Sequence, residues 1–255
     1  MAFFSALKES KQRIITGVVL VLSVMLIGYY HNFFLMWLTL GGVYLLAFNE
    51  AVKLYKIESH TSIYFFGLLI WLIAGIYPYG DDLFVLAGVA YASAVAFNKK
   101  LQWRDFLPFI YPTAGMLFIL TMYQEYGITS LLWLLVIVAM TDIGAYIVGK
   151  SIGKTRFSET SPNKTAEGVI GGVVIATLSA MFIGVEIVDL SISFIISFMV
   201  AMSSIFGDLF ESSLKRAAGV KDSGDLLPGH GGILDRIDGY LFGAIVMLIL
   251  LRGLV

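Results

Sequence analysis

The stretch SSLKRAAGVKDSGDLLPGHGGILDRID, residues 212–238, decides the fold class of this chain. It is strongly polar, yet it lies between two apolar runs, 189–207 and 238–254, that approach the thickness of a bilayer. Charged side chains are costly at the edge of a membrane, so a concentration of them indicates a functional site. The alternative is a solvated loop whose charges anchor the helices. Anchoring needs only Lys and Arg, however, and this segment also holds acids, a histidine and clustered glycines.

The remainder of the chain predicts a membrane protein. Its 255 residues are 58% hydrophobic and 14% charged, which lies outside the usual range of soluble domains. We predict an all-α polytopic fold, a single integral-membrane domain with about nine transmembrane helices, because no segment between the apolar runs is long enough to fold separately. The predicted spans are 14–30, 33–48, 63–79, 82–97, 106–123, 130–149, 168–187, 189–207 and 238–254.

Composition also limits the partners and the chemistry. The net charge of −1 favours no nucleic-acid partner, and without cysteine the chain has neither disulfides nor thiolate chemistry. Residues 1–12 have the pattern of a short interfacial helix. The run 14–30 lacks a small-residue cleavage site, so we predict a retained helix rather than a signal peptide.

The distribution of charge predicts the orientation. If the N-terminus is cytoplasmic and nine spans alternate, 16 of the 17 basic residues fall on the cytoplasmic side, and only Arg252 falls outside. The outer loops then carry acids, namely Asp81, Asp82, Glu125, Glu186 and Asp189. Both long polar segments, 150–167 and 208–237, face the cytoplasm, where nucleotides are available.

Helical spacing places carboxylates from two spans at this edge. Ser204, Asp208, Ser212 and Lys215 share one face, with Glu211 beside it. Asp208 is predicted to close the eighth span, while Asp235 and Asp238 open the ninth. Antiparallel packing would bring Asp208 and Asp235 together, and hard carboxylate oxygens suit Mg²⁺.

The segment between those carboxylates suits a polyphosphate. Gly229, Gly231 and Gly232 surround His230, and their backbone freedom lets main-chain N–H groups approach an anion closely. Four cations that can neutralise phosphate oxygens lie in the same segment, namely Lys215, Arg216, Lys221 and Arg236.

A second candidate segment begins inside the sixth span. Asp142, Tyr146 and Lys150 lie on one helical face, although Lys150 could simply pair with Asp142. The following loop contains Ser161, Lys164, Thr165 and Glu167, of which Lys164 is the best candidate for a phosphate contact.

Two glycine patterns receive other interpretations. Residues 144–151, GAYIVGKS, match the P-loop pattern by chance, because they lie in a membrane helix with no preceding strand. The pairs Gly41–Gly42 and Gly171–Gly172 are predicted to be sites of close helix packing.

These motifs resemble one family. Residues 212–238 match the whole signature of the phosphatidate cytidylyltransferases, S-x-[apolar]-K-R-x4-K-D-x-[GSA]-x2-[apolar]-[PG]-x-H-G-G-[apolar]-x-D-R-[apolar]-D. The resemblance extends to GDLFES at 207–212, TDIGAY at 141–146 and SPNKTAEG at 161–168, where Ala166 replaces a bulkier family residue. It covers about the C-terminal half of the chain.

The resemblance implies transfer of CMP from CTP to phosphatidate, giving CDP-diacylglycerol and pyrophosphate. It also implies a multi-pass inner-membrane homodimer with its active site facing the cytoplasm. Residues 1–130 would then be mainly membrane scaffold and residues 131–255 the catalytic half. Asp208 and Asp235 would bind Mg²⁺, with a second cation possible.

The resemblance and the residue chemistry together predict the site. The catalytic residues would be Asp208, Lys215, Arg216, Lys221, Asp222, His230, Asp235, Arg236 and Asp238. The substrate-binding residues would be Asp142, Tyr146, Ser161, Lys164, Thr165, Glu167, Ser212, Gly231 and Gly232. His230 would hydrogen-bond a phosphate rather than act as a base, while Asp142, Asp222 and Asp238 would orient lysines or metal-bound water.

Two alternatives remain at this point. A CTP-dependent lipid-alcohol kinase would share the architecture but transfer the γ-phosphate. An ion-coupled transporter would use Asp142 as an intramembrane ion ligand.

Overall fold

A computed structural model describes residues 28–30, 32–58, 61–98, 101–227 and 231–254. In this part of the chain the fold is all-helical and contains no β-strand, only two isolated bridges. The predicted interfacial helix and most of the span 14–30 lie outside the described residues. The seven principal helices are α1 (Phe33–Leu54), α2 (Thr61–Ala74), α3 (Asp82–Phe97), α4 (Gly115–Ile152), α5 (Ala166–Gly184), α6 (Leu190–Ala218) and α7 (Leu234–Leu254).

The all-helical membrane fold is confirmed. Among the described residues, five helical stretches are long and apolar enough to cross a bilayer, namely Phe33–Leu54, Trp103–Ile152, Ala166–Gly184, Leu190–Ala218 and Leu234–Leu254. Helices α2 and α3 have 14 and 16 residues. At about 1.5 Å per residue they reach roughly 21 and 24 Å, less than the roughly 30 Å hydrocarbon core. The count of nine spans therefore stays a prediction.

Helix α4 contains a break that separates two of the predicted spans. Gly127 lies inside the helix with φ of 68° and ψ of −165°, a conformation that favours glycine. It falls between the predicted spans 106–123 and 130–149. A 3₁₀ turn (Trp103–Phe106) and a π-helical turn (Phe109–Ala114) precede α4.

Close helix contacts hold the bundle together. A Cβ at Gly172 would lie 2.5 Å from the carbonyl oxygen of Thr141, so α4 and α5 cross at backbone distance. A Cβ at Gly171 or Gly41 would likewise collide with Val148 or Trp71. The predicted packing role is confirmed at these glycines. A Cβ at Gly42 would meet no packing partner within 4 Å among the described residues.

Two helix boundaries differ from the prediction. Helix α6 continues to Ala218 and ends at Gly219, whose φ of 81° suits a C-terminal glycine, and α7 begins at Leu234. Asp208 is predicted to close the eighth apolar span, and the helix itself continues past Asp208 to Ala218. The polar loop is 219–233 rather than 208–237. Hydropathy marks where a helix leaves the apolar layer, whereas backbone hydrogen bonding continues beyond that point.

Candidate active site

The last turns of α6 carry the polar face that helical spacing predicts. Ser212 Oγ donates to Asp208 Oδ1 at 3.3 Å, and Lys215 Nζ donates to Glu211 Oε2 at 3.0 Å. Each pair is separated by one helical turn, so the continuous helix itself sets the alignment.

An ion pair joins α6 to α7. Lys215 Nζ lies 2.6 Å from Asp235 Oδ1, and these side chains are only 11% and 5% exposed. With Glu211, which is fully buried, the ammonium group has two anionic partners. Removing one member of such a buried set leaves uncompensated charge, so the lysine and its acids stabilise one another.

Asp235 also organises the loop before α7. Its Oδ2 accepts hydrogen bonds from the backbone N–H of Ser223 and of Gly232, each at 2.8 Å, and from Ser223 Oγ at 2.9 Å. Gly231 has φ of 86°, and its carbonyl oxygen accepts a hydrogen bond from the Leu227 N–H. The two predicted glycines thus shape a turn around the Asp235 carboxylate.

A second ion pair joins the two polar segments of the sequence. Lys164, in the loop before α5, pairs with Asp208 on α6, and their side chains are 25% and 30% exposed. The loop carrying the best candidate for a phosphate contact therefore meets the carboxylate face of α6. The lysine and the carboxylate both keep access to solvent.

Three other predicted substrate-binding residues hold the shape of that loop. Glu167 accepts hydrogen bonds from the backbone N–H of Lys154 and Thr155 and from the Thr155 hydroxyl. Thr165 caps α5 by accepting from the Gly168 N–H at 3.2 Å, and the carbonyl oxygen of Ser161 accepts from the Lys164 N–H at 3.1 Å. These contacts fix the backbone around Lys164. The assignment of Ser161, Thr165 and Glu167 to substrate stays a prediction.

The face of α4 that bears Asp142 points toward the same cluster. Asp142 interacts electrostatically with three charged groups, namely Lys164, Asp208 and Arg236. Lys150 instead contacts Tyr146, with Nζ 3.3 Å from the phenol oxygen and 5.5 Å from the ring centroid. The alternative in which Lys150 neutralises Asp142 is thus not the arrangement found, and Asp142 belongs electrostatically with Lys164.

A pair of carboxyl groups lies deeper in the cluster. Glu211 Oε1 is buried and accepts no hydrogen bond from a donor group among the described residues. A second carboxyl group, that of Asp238, interacts electrostatically with Glu211. Two neighbouring carboxylates repel, so this position favours a bound proton or cation between them.

The remaining predicted residues lie on the solvent side. Arg216, Lys221, Asp222 and Arg236 are exposed, and Arg216 donates to the carbonyl oxygen of Val220 at 3.2 Å. His230 lies outside the described residues. Arg216, Lys221 and Arg236 therefore place positive charge where solvent reaches it.

Sequence reasoning missed several members of the site. Glu50 at the end of α1 and Ser223 in the loop contact one another, and Ser223 contacts Asp235. Tyr111 is 3% exposed and interacts electrostatically with three carboxyl groups, those of Glu211, Asp238 and Asp208. A lone acid such as Glu50 at the predicted cytoplasmic end of an apolar run was the available signal. Nothing in the sequence indicates which loop it would meet.

The two predicted Mg²⁺ ligands, Asp208 and Asp235, differ in how readily each could bind an ion. Within the described residues, no group of three His, Cys, Asp or Glu side chains is arranged to hold a metal. Asp208 suits an ion because it is partly exposed and its oxygens contact only Lys164 and Ser212 in this part of the chain. Asp235 could bind one through Oδ1 only if Lys215 moved away. The assignment of Mg²⁺ to these two residues stays a prediction.

The fold and the site define a class of protein. Lysines and carboxylates converge at one end of an apolar helical bundle, which is the arrangement of a membrane enzyme acting on phosphorylated compounds.

Comparison with known proteins identifies the family. The chain belongs to the cytidylyltransferase family, whose model matches residues 11–254. It is 41% identical over 245 residues to the phosphatidate cytidylyltransferase of Helicobacter pylori (strain J99), covering 95% of this chain and 92% of that protein. It is 48% identical over 124 residues to the enzyme of that name from Bacillus subtilis, covering 47% of this chain and 46% of the relative. For the Thermotoga maritima enzyme of that name the identity is 43% over 152 residues, covering 56% of each chain.

Proposed function

We propose that this chain transfers CMP from CTP to phosphatidate, forming CDP-diacylglycerol and pyrophosphate, at the end of the bundle where Lys164 meets Asp208. The protein is a nucleotidyltransferase with the activity that its relatives are named for. The observation that supports this location for the active site is the convergence of Lys164 and Lys215 on the carboxylates of α6 and α7.

The reaction needs charge neutralisation more than proton transfer. A phosphate oxygen of phosphatidate attacks the α-phosphorus of CTP, and the bond from that phosphorus to the β-phosphate oxygen breaks. The electron pair leaves with pyrophosphate. Since the attacking phosphate is already an anion at neutral pH, the barrier lies in bringing two anions together and stabilising the leaving group.

Lys215 is the cation whose position is best fixed for binding a substrate phosphate. An ammonium group has three N–H donors. In the described structure two of them are directed to Glu211 and Asp235, which leaves one for a phosphate oxygen. Because both partners are buried, the position of Lys215 is fixed before substrate binds, so little reorganisation is needed.

Lys164 binds phosphate in a different manner. Its partner Asp208 is partly exposed, so substrate or Mg²⁺ can separate the pair. A metal held by Asp208 would release Lys164 to contact phosphate oxygens. The exposed Arg216, Lys221 and Arg236 would bind the outer phosphates, and His230 would donate a hydrogen bond to one of them.

The proposed cofactor is Mg²⁺, for which Asp208 and Asp235 are the proposed ligands, with a second cation possible. Because Oδ1 of Asp235 already contacts Lys215, Asp208 would be the principal ligand. When bound, the ion supplies positive charge to the phosphates and the leaving group. Asp142, Asp222 and Asp238 would orient the lysines and the water around that charge.

We also propose that the site faces the cytoplasm from the inner membrane, with the N-terminus on the same side and the chain crossing about nine times. The charge distribution of the sequence supports this orientation. A homodimer is the proposed assembly, and the mass of the detergent-solubilised particle tests it.

The direct test uses the purified protein with CTP, phosphatidate and Mg²⁺. The expected result is CDP-diacylglycerol, identified by mass spectrometry, and pyrophosphate in equal amount. Lipid product without pyrophosphate would refute the proposed reaction.

A further inference from the structure

Near its end, helix α1 carries a buried acid, Glu50, which a helix that served only as membrane scaffold would not need. Glu50 is 5% exposed and lies one turn before the end of α1, among Tyr44, Phe48 and Leu54. A carboxylate removed from water requires hydrogen-bond donors in compensation. The donors it finds all belong to the distant polar segment of the sequence.

Two of these donors are backbone groups at the start of α7. Glu50 Oε1 accepts from the Ile233 N–H at 3.0 Å, and Oε2 accepts from the Leu234 N–H at 2.8 Å. The first N–H groups of a helix have no partner within the helix, and negative charge there is favourable. Glu50 therefore caps α7 from a helix more than 180 positions earlier in the chain.

The third donor is the Ser223 hydroxyl, which lies between Glu50 and Asp235 and can donate its single proton to either carboxylate. Ser223 Oγ lies 3.0 Å from Glu50 Oε2 and 2.9 Å from Asp235 Oδ2. Asp235 in turn holds Lys215 at 2.6 Å through its other oxygen. A continuous path of contacts thus runs from α1 to the lysine that is best placed to bind phosphate.

The loop backbone is shaped around the Glu50 carboxylate. A Cβ at Gly224 would lie 2.6 Å from Glu50 Oε1, and one at Gly232 would lie 2.6 Å from Glu50 Oε2. No side chain fits at either position without displacing the acid. Glycine at these two positions therefore lets the backbone approach the Glu50 carboxylate closely.

We propose that Glu50 is a positioning residue of the active site, which fixes Ser223 and the start of α7 so that Asp235 and Lys215 are held ready for the substrate phosphates. This inference rests on the proposed function, because the residues that Glu50 holds are those assigned to the transfer of CMP. It gives the N-terminal half of the chain a part in catalysis that its apolar sequence does not indicate.

The test compares Glu50→Gln, Ser223→Ala and the double variant. Glutamine keeps the shape but directs an amide N–H₂ at backbone donors, and Ser223→Ala removes the hydroxyl that contacts both Glu50 and Asp235. We expect Glu50→Gln to lower kcat by at least about tenfold, since small misplacements of reacting groups are costly. The kcat of the double variant should lie within about twofold of the kcat of Glu50→Gln alone, because both changes interrupt the same path of contacts.

The matched control is Asp189→Asn, an exposed acid that precedes α6 and makes no side-chain capping bond. It should leave kcat unchanged. Losses that multiply in the double variant, or a Glu50→Gln variant as active as the control, would overturn the proposal.

Hydrogen exchange supplies a readout that is independent of activity. In Glu50→Gln the Ile233 and Leu234 amides should exchange faster, while amides in the middle of α5 stay protected. Unchanged exchange at 233–234 would refute the positioning role even if the protein proved to catalyse another reaction. If the unmodified protein instead made no CDP-diacylglycerol while exchange changed as expected, the proposed function would fail and the capping role would stand.

Discussion

At the scale of single residues, the site depends on buried charge that is closely paired. Lys215 forms ion pairs with two acids, Glu211 and Asp235, and the three charged side chains stabilise one another. Sequence spacing predicted Asp208, Ser212 and Lys215 on one face because the helical repeat is regular. It did not predict Glu50 or Ser223 in the site, because their contacts depend on how distant helices pack.

The Lys215→Met variant tests this interdependence. It leaves Glu211 and Asp235 buried without their cation, and loss of one member of such a set costs about 3–5 kcal/mol. We expect a clearly lower melting temperature in detergent together with loss of activity. The matched variant is Lys221→Met, an exposed lysine of the next loop. It should raise KM for CTP without lowering the melting temperature, and equal destabilisation by the two changes would contradict the account.

The two predicted metal ligands can be separated by a titration with Mg²⁺. Asp208 is partly exposed, so Asp208→Asn should raise the Mg²⁺ concentration needed for half-maximal activity. Asp235→Asn should do the same and should also lower kcat at saturating Mg²⁺, because Asp235 holds Lys215 and Ser223 as well. An unchanged Mg²⁺ requirement in Asp235→Asn would remove it from the ligand set and leave it as the residue that positions Lys215.

At the scale of the elements, the apolar runs predicted where helices form but not where they end. The predicted span 82–97 coincides with α3, whereas α6 extends eleven residues beyond the predicted position 207. A charged residue ends an apolar run without ending a helix. Gly219, with its positive φ, is what ends α6, and the same extension places Glu211 and Lys215 on a rigid support.

The crossing of α4 and α5 sets the distance between Asp142 and Lys164. Because a Cβ at Gly172 would lie 2.5 Å from a backbone oxygen of α4, Gly172→Ala must push the helices apart. Overpacking of this kind costs about 1–3 kcal/mol. We expect a lower melting temperature and reduced kcat. Gly42→Ala serves as the control, because the added Cβ would meet no packing partner within 4 Å among the described residues. Equal behaviour of the two variants would argue against close packing at Gly172.

At the scale of the whole molecule, the polar groups divide between the two ends of the bundle. One end holds the active-site cluster. At the other, Arg252 near the end of α7 pairs with Asp81 at 2.6 Å and also with Glu125. The sequence placed these three residues together on the outer side, and their convergence supports the proposed topology. The count of crossings could not be fixed, because helix length and tilt depend on packing.

The Arg252 cluster should contribute to stability without affecting catalysis. Arg252→Gln removes a bidentate contact to Asp81 and leaves that buried acid without its cation. We expect a lower melting temperature in detergent and an unchanged kcat at a temperature where the variant is folded. A large loss of kcat in the folded variant would show that the two ends are coupled, contrary to this account.

The most direct test of the central claim follows the phosphorus atoms of CTP. The purified protein, phosphatidate and Mg²⁺ are incubated with CTP labelled at either the α- or the γ-phosphate. If the protein transfers CMP, the α-label will appear in the lipid fraction and the γ-label in pyrophosphate. Transfer of the γ-label to lipid, or no label in lipid from either substrate, would contradict CMP transfer.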